Sequence, residues 1–268
     1  MSSQLPTGAV ALDVIDIHSH ILPGIDDGPM ALEEAVAMLK IAAESGTTDI
    51  VATPHANARF TFDPELIERK IAELQAAAGP APRIHRGCDF HLTVENIQDA
   101  LAKPAKYTIN NKRYLLVEFS DAFIPDTMHE IFDRLQAAGL TPVVTHPERN
   151  VLLCTRIDRL RSWVENGCLV QITAQSLLGR FGRTARHIAS QLLQQNLVHF
   201  VASDAHDTKH RPPTLNEAYT YVSRTWGEKC AQTIFVTAPR AAILGETFYP
   251  NSAEQRSSKR RWYWFGSG

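Results

Sequence analysis

Two histidines separated by one residue follow a short apolar run near the start of the chain. Residues 14–17 read Val-Ile-Asp-Ile, and His18 and His20 come directly after them. On a β-strand, residues i and i+2 point to the same face, so both imidazoles could reach one metal ion. An H-x-H pattern is a weak signal by itself, and its value depends on further ligands elsewhere in the chain.

Further imidazoles and carboxylates stand where other apolar runs end. Runs at residues 50–54, 83–88, 115–119, 142–145 and 200–203 contain or precede these groups: His55, Asp89, Glu118, His146, Asp204 and His206. The segment Asp26-Asp27-Gly28, in the loop after the first run, adds another possible acid. If each run is a parallel strand, these groups lie at strand C-terminal ends, where a β/α barrel assembles its active site.

Glu118 provides the strongest physical argument for a ligand site. It lies among Leu115, Leu116, Val117 and Phe119, where an unpaired carboxylate is costly to bury. No Lys or Arg is placed at the neighbouring strand ends, so a metal ion is the expected compensation. Imidazole and carboxylate ligands without thiolates suit Mn, Fe or Zn, and so many candidates imply two or three ions.

The four cysteines argue against thiolate chemistry. They are far apart and form no C-x-x-C pair: Cys88, Cys154, Cys168 and Cys230. Cysteine-dependent phosphatases need an Arg six positions after the thiolate, and positions 94, 160, 174 and 236 hold Val, Leu, Ala and Val. We therefore expect unpaired thiols in a reducing compartment and no catalytic cysteine.

Seven apolar runs with little polar alternation are predicted as parallel strands buried on both faces. They cover residues 13–18, 48–53, 83–88, 114–119, 141–145, 169–173 and 198–203, with helical patterns at 32–43, 64–78, 131–135, 156–166, 185–195, 215–226 and 239–244. Strands alternating with helices predict an α/β fold. Seven strands favour a closed or nearly closed β/α barrel, one strand short of the eight-stranded type, with a doubly wound open sheet as the alternative.

Composition excludes several broad classes. The 268 residues carry a net charge of -2, with 44% hydrophobic and 21% charged residues. These values exclude intrinsic disorder and fibrous repeats, and the balanced charge gives no electrostatic reason to expect nucleic-acid binding. No run approaches the roughly 18 apolar residues of a transmembrane segment, and no secretory signal is evident, so a cytoplasmic location is expected.

The organisation predicted from composition is one domain followed by a tail. The domain covers residues 1–251, and the tail covers 252–268. The tail carries a basic cluster at 259–261 beside Trp262 and Trp264. A flexible, solvated tail is the first interpretation, and a contact with a membrane surface or a partner is the alternative.

Six segments in order resemble the PHP (polymerase and histidinol phosphatase) superfamily. They are DIHSHILPGIDDGP, ATPH, LVEFS, THPER, VASDAH and RPP, and the resemblance runs from about residue 13 to residue 244. Within the superfamily they are most similar to bacterial metal-dependent protein-tyrosine phosphatases of capsule and exopolysaccharide operons. The resemblance implies the PHP fold, a distorted (β/α)7 TIM-like barrel, with three metal ions that are commonly manganese.

Carried over by position, the resemblance also implies a role for each candidate residue. His18, His20 and Asp204 would hold a first ion, Asp89 would bridge it to a second ion held by Glu118 and His146, and Asp27, His55 and His206 would hold a third. Arg149 and Arg211 match the phosphate-facing arginines of the family. The bridging acid is usually Glu in a G-x-E segment, and here that segment is Gly87-Cys88-Asp89.

The function implied by the resemblance is hydrolysis of phosphotyrosine, on an autophosphorylating bacterial tyrosine kinase that controls capsule synthesis. A small-molecule phosphatase acting on histidinol phosphate is the alternative. A barrel amidohydrolase and a non-catalytic PHP module rank below it. Arg180, Arg183 and Arg186 follow the sixth predicted strand, and they predict a positive rim suited to an anionic phosphopeptide.

Overall fold

The computed structural model describes residues 13–80 and 82–248 and consists of parallel strands alternating with helices. The strands are β1 (Val14–Ser19), β2 (Thr47–Ala52), β3 (His55–Ala56), β4 (Arg83–Arg86), β5 (Asp89–His91), β6 (Tyr114–Glu118), β7 (Thr141–Thr145), β8 (Leu169–Thr173) and β9 (Phe200–Ala202). All strand pairs in these residues are parallel. The predicted α/β class is confirmed.

The helices follow the strands along the chain. They are α1 (Leu32–Glu44), α2 (Pro64–Ala78), α3 (Val94–Ala102), α4 (Met128–Ala137), α5 (Ile157–Glu165), α6 (Ala174–Leu177), α7 (Gly182–Gln194), α8 (Asn216–Trp226), α9 (Glu228–Gln232) and α10 (Ala238–Leu244). A 3₁₀ turn covers Ile109–Asn111, and a π-helical segment, Thr233–Thr237, joins α9 to α10. The bounds of α2 match the prediction because its start is strongly encoded: Pro64 occupies the first turn, and Asp63 accepts the amide protons of Glu65 and Leu66.

The strands form two sheets that meet around a distorted barrel. One sheet has the order β1-β2-β4, and the other has the order β3-β5-β6-β7-β8-β9. On one side, β1 contacts β9: the Asp204 amide donates to the His18 carbonyl oxygen and the His20 amide to that of Ala205, each at 2.8 Å. On the other side the chain passes from β2 to β3 and from β4 to β5, so each sheet continues into the other.

Two short strands, β3 and β5, lie beyond the predicted strand ends at residues 53 and 88, so the described residues contain nine strand segments where the sequence predicts seven. Pro54 lies between β2 and β3 and has no amide proton for a ladder. Gly87 lies between β4 and β5, where a Cβ atom would come within 2.7 Å of Val51 Cγ1. This close approach requires glycine at the point where the chain passes from one sheet to the other.

The interior of the barrel is filled by large apolar side chains below the site. Ile15, Ile17, Leu116, Val143 and Phe200 belong to one buried cluster with α10. The hydroxyl of Tyr114, the first residue of β6, donates to the Glu246 carbonyl oxygen at 2.6 Å. The segment after α10 thus covers the N-terminal end of the strands. The buried polar residues of the candidate site lie at the opposite, C-terminal end.

Across residues 13–80 and 82–248, the structure contains no helix whose length and apolar character would allow it to cross a membrane. The predicted tail at 252–268 and the domain boundary at residue 251 lie outside the described residues.

Candidate metal centre

The two histidines of the H-x-H pattern lie together at the C-terminal end of β1. Their Nε2 atoms are 3.4 Å apart, and both side chains are buried. Asp204 Oδ1 lies 3.6 Å from His18 Nε2 and 3.5 Å from His20 Nε2. Asp89 Oδ2 lies 3.7 Å from His18 Nε2. The first predicted ligand group, with its bridging acid, is therefore brought together in space.

The predicted third group converges on Asp27, in the loop after β1. Asp27 Oδ1 lies 3.4 Å from His55 Nε2 and 3.4 Å from His206 Nε2. Together with His20, these side chains offer ligand atoms that all lie within 4.8 Å of one another. Such spacing is compatible with a single cation bound among them.

The predicted second group surrounds Glu118, the last residue of β6. Its Oε1 atom lies 3.6 Å from His146 Nε2, and its Oε2 atom lies 3.5 Å from His55 Nδ1. Asp89 Oδ2 lies 3.1 Å from the same His55 nitrogen. His55 thus stands between the second and third groups, with one ring nitrogen facing each.

His91 belongs to this region and was missed by the sequence reasoning. Its Nε2 atom contacts Glu118 Oε2 and lies 3.3 Å from His55 Nδ1. The signal that could have found it is the Asp89-Phe90-His91 pattern, which repeats the i, i+2 spacing of His18 and His20. The predicted strand ended at residue 88, whereas β5 covers Asp89–His91.

The residues fit a cluster of divalent cations. Both carboxylate oxygens of Asp89 and Oε2 of Glu118 are buried without a hydrogen-bond donor, which is costly unless a cation faces them. Burial and the charge of His206 lower the pKa of His20 to about 4, and burial lowers the pKa of His146 to about 3. These two imidazoles are thus held in the neutral form that binds metals.

The electrostatics of the carboxylates point to the same interpretation. Burial alone would lower the pKa of His18, but the charges of Asp89 and Asp204 raise it to about 9. Burial, followed by the Asp89 charge, raises the pKa of Glu118 to about 7. The two negative groups oppose each other and draw protons onto nearby imidazoles, so the site favours the positive charge of a cation.

Two further side chains fix the orientation of the imidazoles. Asp26 Oδ2 lies 2.7 Å from His20 Nδ1 and accepts the His55 amide proton at 3.1 Å. Gln171 Oε1 lies 3.0 Å from His18 Nδ1. Hydrogen bonds of this kind fix the tautomer and aim the other ring nitrogen at the ligand position.

The backbone is strained where two candidate ligands leave their strands. His146 has φ 32° and Asp204 has φ 50°. These values lie in the left-handed region, which residues with a Cβ atom rarely adopt. His146 directly follows the last residue of β7, and Asp204 comes two residues after the end of β9. Strain of this kind persists where the surrounding structure holds a functional side chain in place.

The two predicted arginines meet at a single carboxylate. Arg149 and Arg211 both donate to Asp204 Oδ2. The ring of Phe181, in the loop between α6 and α7, lies beneath both guanidinium groups, with its centroid 4.4 Å from the Arg149 Cζ atom and 6.0 Å from that of Arg211. Sequence reasoning missed Phe181, since only the folded chain brings the three loops together.

The predicted positive rim is only partly available. Arg180 is ion-paired with Glu217 of α8 at 2.9 Å, and the guanidinium of Arg186 lies 5.5 Å from the ring centroid of Tyr221. Arg183 is exposed at the start of α7. The net positive charge of this rim is therefore smaller than the sequence predicts.

The thiols do not resemble nucleophiles. All four cysteines are free. Burial raises the pKa of Cys88 well above its ordinary value and that of Cys168 to about 12, so neither thiol ionises at neutral pH.

Comparison with known proteins places this arrangement in a family. The profile of the family described as capsular polysaccharide synthesis, CpsB/CapC, matches residues 14–244. The tyrosine-protein phosphatase CpsB of Streptococcus pneumoniae is 31% identical over 242 residues, 87% of this chain and 99% of that protein. The tyrosine-protein phosphatase YwqE of Bacillus subtilis (strain 168) is 34% identical over 220 residues, 81% of this chain and 86% of that protein.

Solved structures agree with the sequence comparison. A chain from the crystal structures of YwqE from Bacillus subtilis and CpsB from Streptococcus pneumoniae, described as unique metal-dependent tyrosine phosphatases, superimposes with a TM-score of 0.82 at 30% identity. The match covers 88% of this chain and 96% of that chain. The lactonase Lmo2620 from Listeria monocytogenes matches with a TM-score of 0.55 at 11% identity, covering 88% of this chain and 96% of that one, which is a likeness of fold alone. The resemblance predicted from the six motifs is confirmed: the chain belongs to the CpsB/CapC family of capsular polysaccharide synthesis.

Proposed function

We propose that this protein is a metal-dependent protein-tyrosine phosphatase that uses two or three divalent ions, with manganese as the preferred metal. The observation that carries the proposal is that Asp204 contacts both the candidate metal ligands and the two arginines. One of its oxygens faces the imidazoles of His18 and His20, and the other accepts both arginines. A cation cluster and a phosphate-binding pair of guanidinium groups thus share one carboxylate.

The arginines supply the recognition of the phosphoryl group. Each guanidinium presents a planar fork of N–H donors, which matches two oxygens of a phosphate. Arg149 and Arg211 are rigidly placed because each is bonded to Asp204 and lies over Phe181. Held in this way, they bind the equatorial oxygens, where negative charge is spread during phosphoryl transfer.

Divalent ions held in such a site would neutralise phosphoryl charge and lower the pKa of water, so that hydroxide is available for attack on phosphorus at neutral pH. Nine side chains would hold these ions. They are the carboxylates of Asp27, Asp89, Glu118 and Asp204 and the imidazoles of His18, His20, His55, His146 and His206. Asp26 and Gln171 orient two of those imidazoles. Tyrosine leaves as a phenolate of pKa about 10, so hydrolysis needs no strong general acid.

The surface around the site favours a protein substrate over a small molecule. Of the five large apolar side chains that are exposed in the described residues, four lie between the end of a strand and the first turn of the next helix: Met30, Val94, Phe123 and Val151. Those segments surround the C-terminal end of a barrel. Apolar side chains exposed around the mouth are available to pack against a protein substrate that reaches the site. The tyrosine-phosphorylated tail of a bacterial kinase is the substrate we propose, in a reducing cytoplasm that suits four free thiols.

The test is phosphate release from a phosphotyrosine peptide, measured beside histidinol phosphate and a phosphoserine peptide. We expect kcat/KM to be highest for the phosphotyrosine peptide. His18→Ala should abolish turnover, whereas His129→Ala, on the exposed start of α4, should leave it unchanged. Faster turnover of histidinol phosphate would instead support the small-molecule phosphatase.

A further inference from the structure

His91 lies directly opposite Glu118 on the neighbouring strand. The two residues are paired in the register of β5 and β6, so their side chains stand side by side on one face. Asp89 lies two residues before His91 on β5 and points to that same face. The fold thus brings an imidazole and two carboxylates to one point by strand register, without any loop.

Glu118 is placed between two imidazoles, one at each oxygen. Oε1 faces His146 at 3.6 Å, and Oε2 faces His91. The ligand atoms of His91, Glu118, Asp89 and His55 all lie within 4.8 Å of one another. The side chain of His91 is 24% exposed, so the group can be reached from the mouth of the barrel.

An ion pair between His91 and Glu118 would not satisfy this group. Both oxygens of Asp89 and Oε2 of Glu118 are buried and receive no hydrogen bond, although His91 is in contact with Oε2. Three acceptors therefore need a positive charge that one imidazole proton cannot provide to all of them. A divalent cation can accept lone pairs from several carboxylate oxygens and from an imidazole at once.

We propose that His91 is a metal ligand, and that it holds a divalent cation together with Asp89 and the Oε2 side of Glu118. The proposal rests on the metal dependence proposed above and adds a tenth ligand to the nine expected from the sequence. Its role is binding and not proton transfer, so its removal should change metal content first.

Two variants separate a ligand from an ion-pair partner. His91→Phe keeps a planar ring but has no donor nitrogen, and His91→Arg keeps a positive charge beside Glu118 but cannot bind a cation. We expect both to weaken the binding of one Mn²⁺ ion by about tenfold or more, the scale seen when groups supporting a metal are removed. His129→Ala, which removes an exposed histidine, is the matched control.

The measurements are Mn²⁺ bound per chain after equilibrium dialysis, Mn²⁺ affinity by calorimetry, and the visible spectrum of the Co²⁺ form. Circular dichroism checks that both variants are folded. Unchanged affinity and Co²⁺ spectrum in His91→Phe would overturn the proposal, as would full Mn²⁺ binding in His91→Arg. The unaltered protein could hydrolyse phosphotyrosine and bind its ions while His91→Phe binds them equally well. That result would refute the proposal for His91 and leave the proposed function standing. If the unaltered protein binds no divalent ion, the proposed function fails with it.

Discussion

Phe181 connects the two arginines, and its replacement tests whether they act as a positioned pair. Its ring centroid is 4.4 Å from the Arg149 Cζ atom, well within the distance of a favourable cation–π contact, and 6.0 Å from that of Arg211, at its outer limit. Such contacts contribute about 0.5–1 kcal/mol when exposed and about 2 kcal/mol when desolvated. We assign most of the effect to Arg149, for a total of about 1–2 kcal/mol in the half-buried loop.

Phe181→Leu keeps an apolar side chain and removes the ring. At about 1.4 kcal/mol for each factor of ten, kcat/KM for a phosphotyrosine peptide should fall by roughly 5- to 30-fold. Metal content should not change, because in the described residues the ring packs against Arg149 and Arg211 and stacks on no histidine of the candidate site. Tyr221→Leu, which removes the ring contacted by Arg186, is the matched control and should leave kcat/KM unchanged.

The assay is steady-state phosphate release with metal content measured on the same samples. If Phe181→Leu retains kcat/KM within twofold of the unaltered protein, the ring does not position the arginines. A loss of bound metal in that variant would also contradict the reasoning, since it would mean that the loop supports the ligands instead.

Three further perturbations test separate parts of the account. Replacing all four cysteines by Ser should keep phosphatase activity within about tenfold, because no thiolate attacks phosphorus, and phosphate trapped on any cysteine would refute this. Asp89→Glu should retain bound metal, whereas Asp89→Asn should lose it for lack of an anionic bridge; full metal content in the Asn variant, measured by mass spectrometry, would exclude a bridging role. Burial lowers the pKa of His199 to about 4, so below pH 6.5 the unfolded chain binds a proton that the folded chain does not. His199 alone should therefore lower the free energy of unfolding by about 3 kcal/mol as the pH falls from 6.5 to 4. His199→Gln should remove that part of the slope in denaturant titrations, and an identical slope would contradict the assignment.

Much of the site could be predicted because it depends on local patterns and one rule of barrel topology. The ends of apolar runs located His55, Glu118 and His146, since the C-terminal ends of parallel strands meet at one edge. The helix at 64–78 was predicted to the residue, because Asp63 and Pro64 encode its start in adjacent positions.

The features that were missed depend on contacts between distant segments. The break after β4 falls at Gly87, whose close approach to Val51 of β2 exists only in the folded chain. His91 was missed because the predicted strand stopped three residues too early, and its pairing with Glu118 is a property of strand register. Phe181 carries no local signal at all, since its partners come from two other loops.

Metal analysis combined with turnover of a phosphotyrosine peptide decides whether this protein is a metal-dependent tyrosine phosphatase. The protein is assayed as purified, after chelation and dialysis, and after Mn²⁺ is added back. We predict two to three divalent ions per chain, loss of phosphotyrosine hydrolysis on chelation, and its recovery with Mn²⁺. One ion or none per chain, with turnover unaffected by the chelator, would contradict the account.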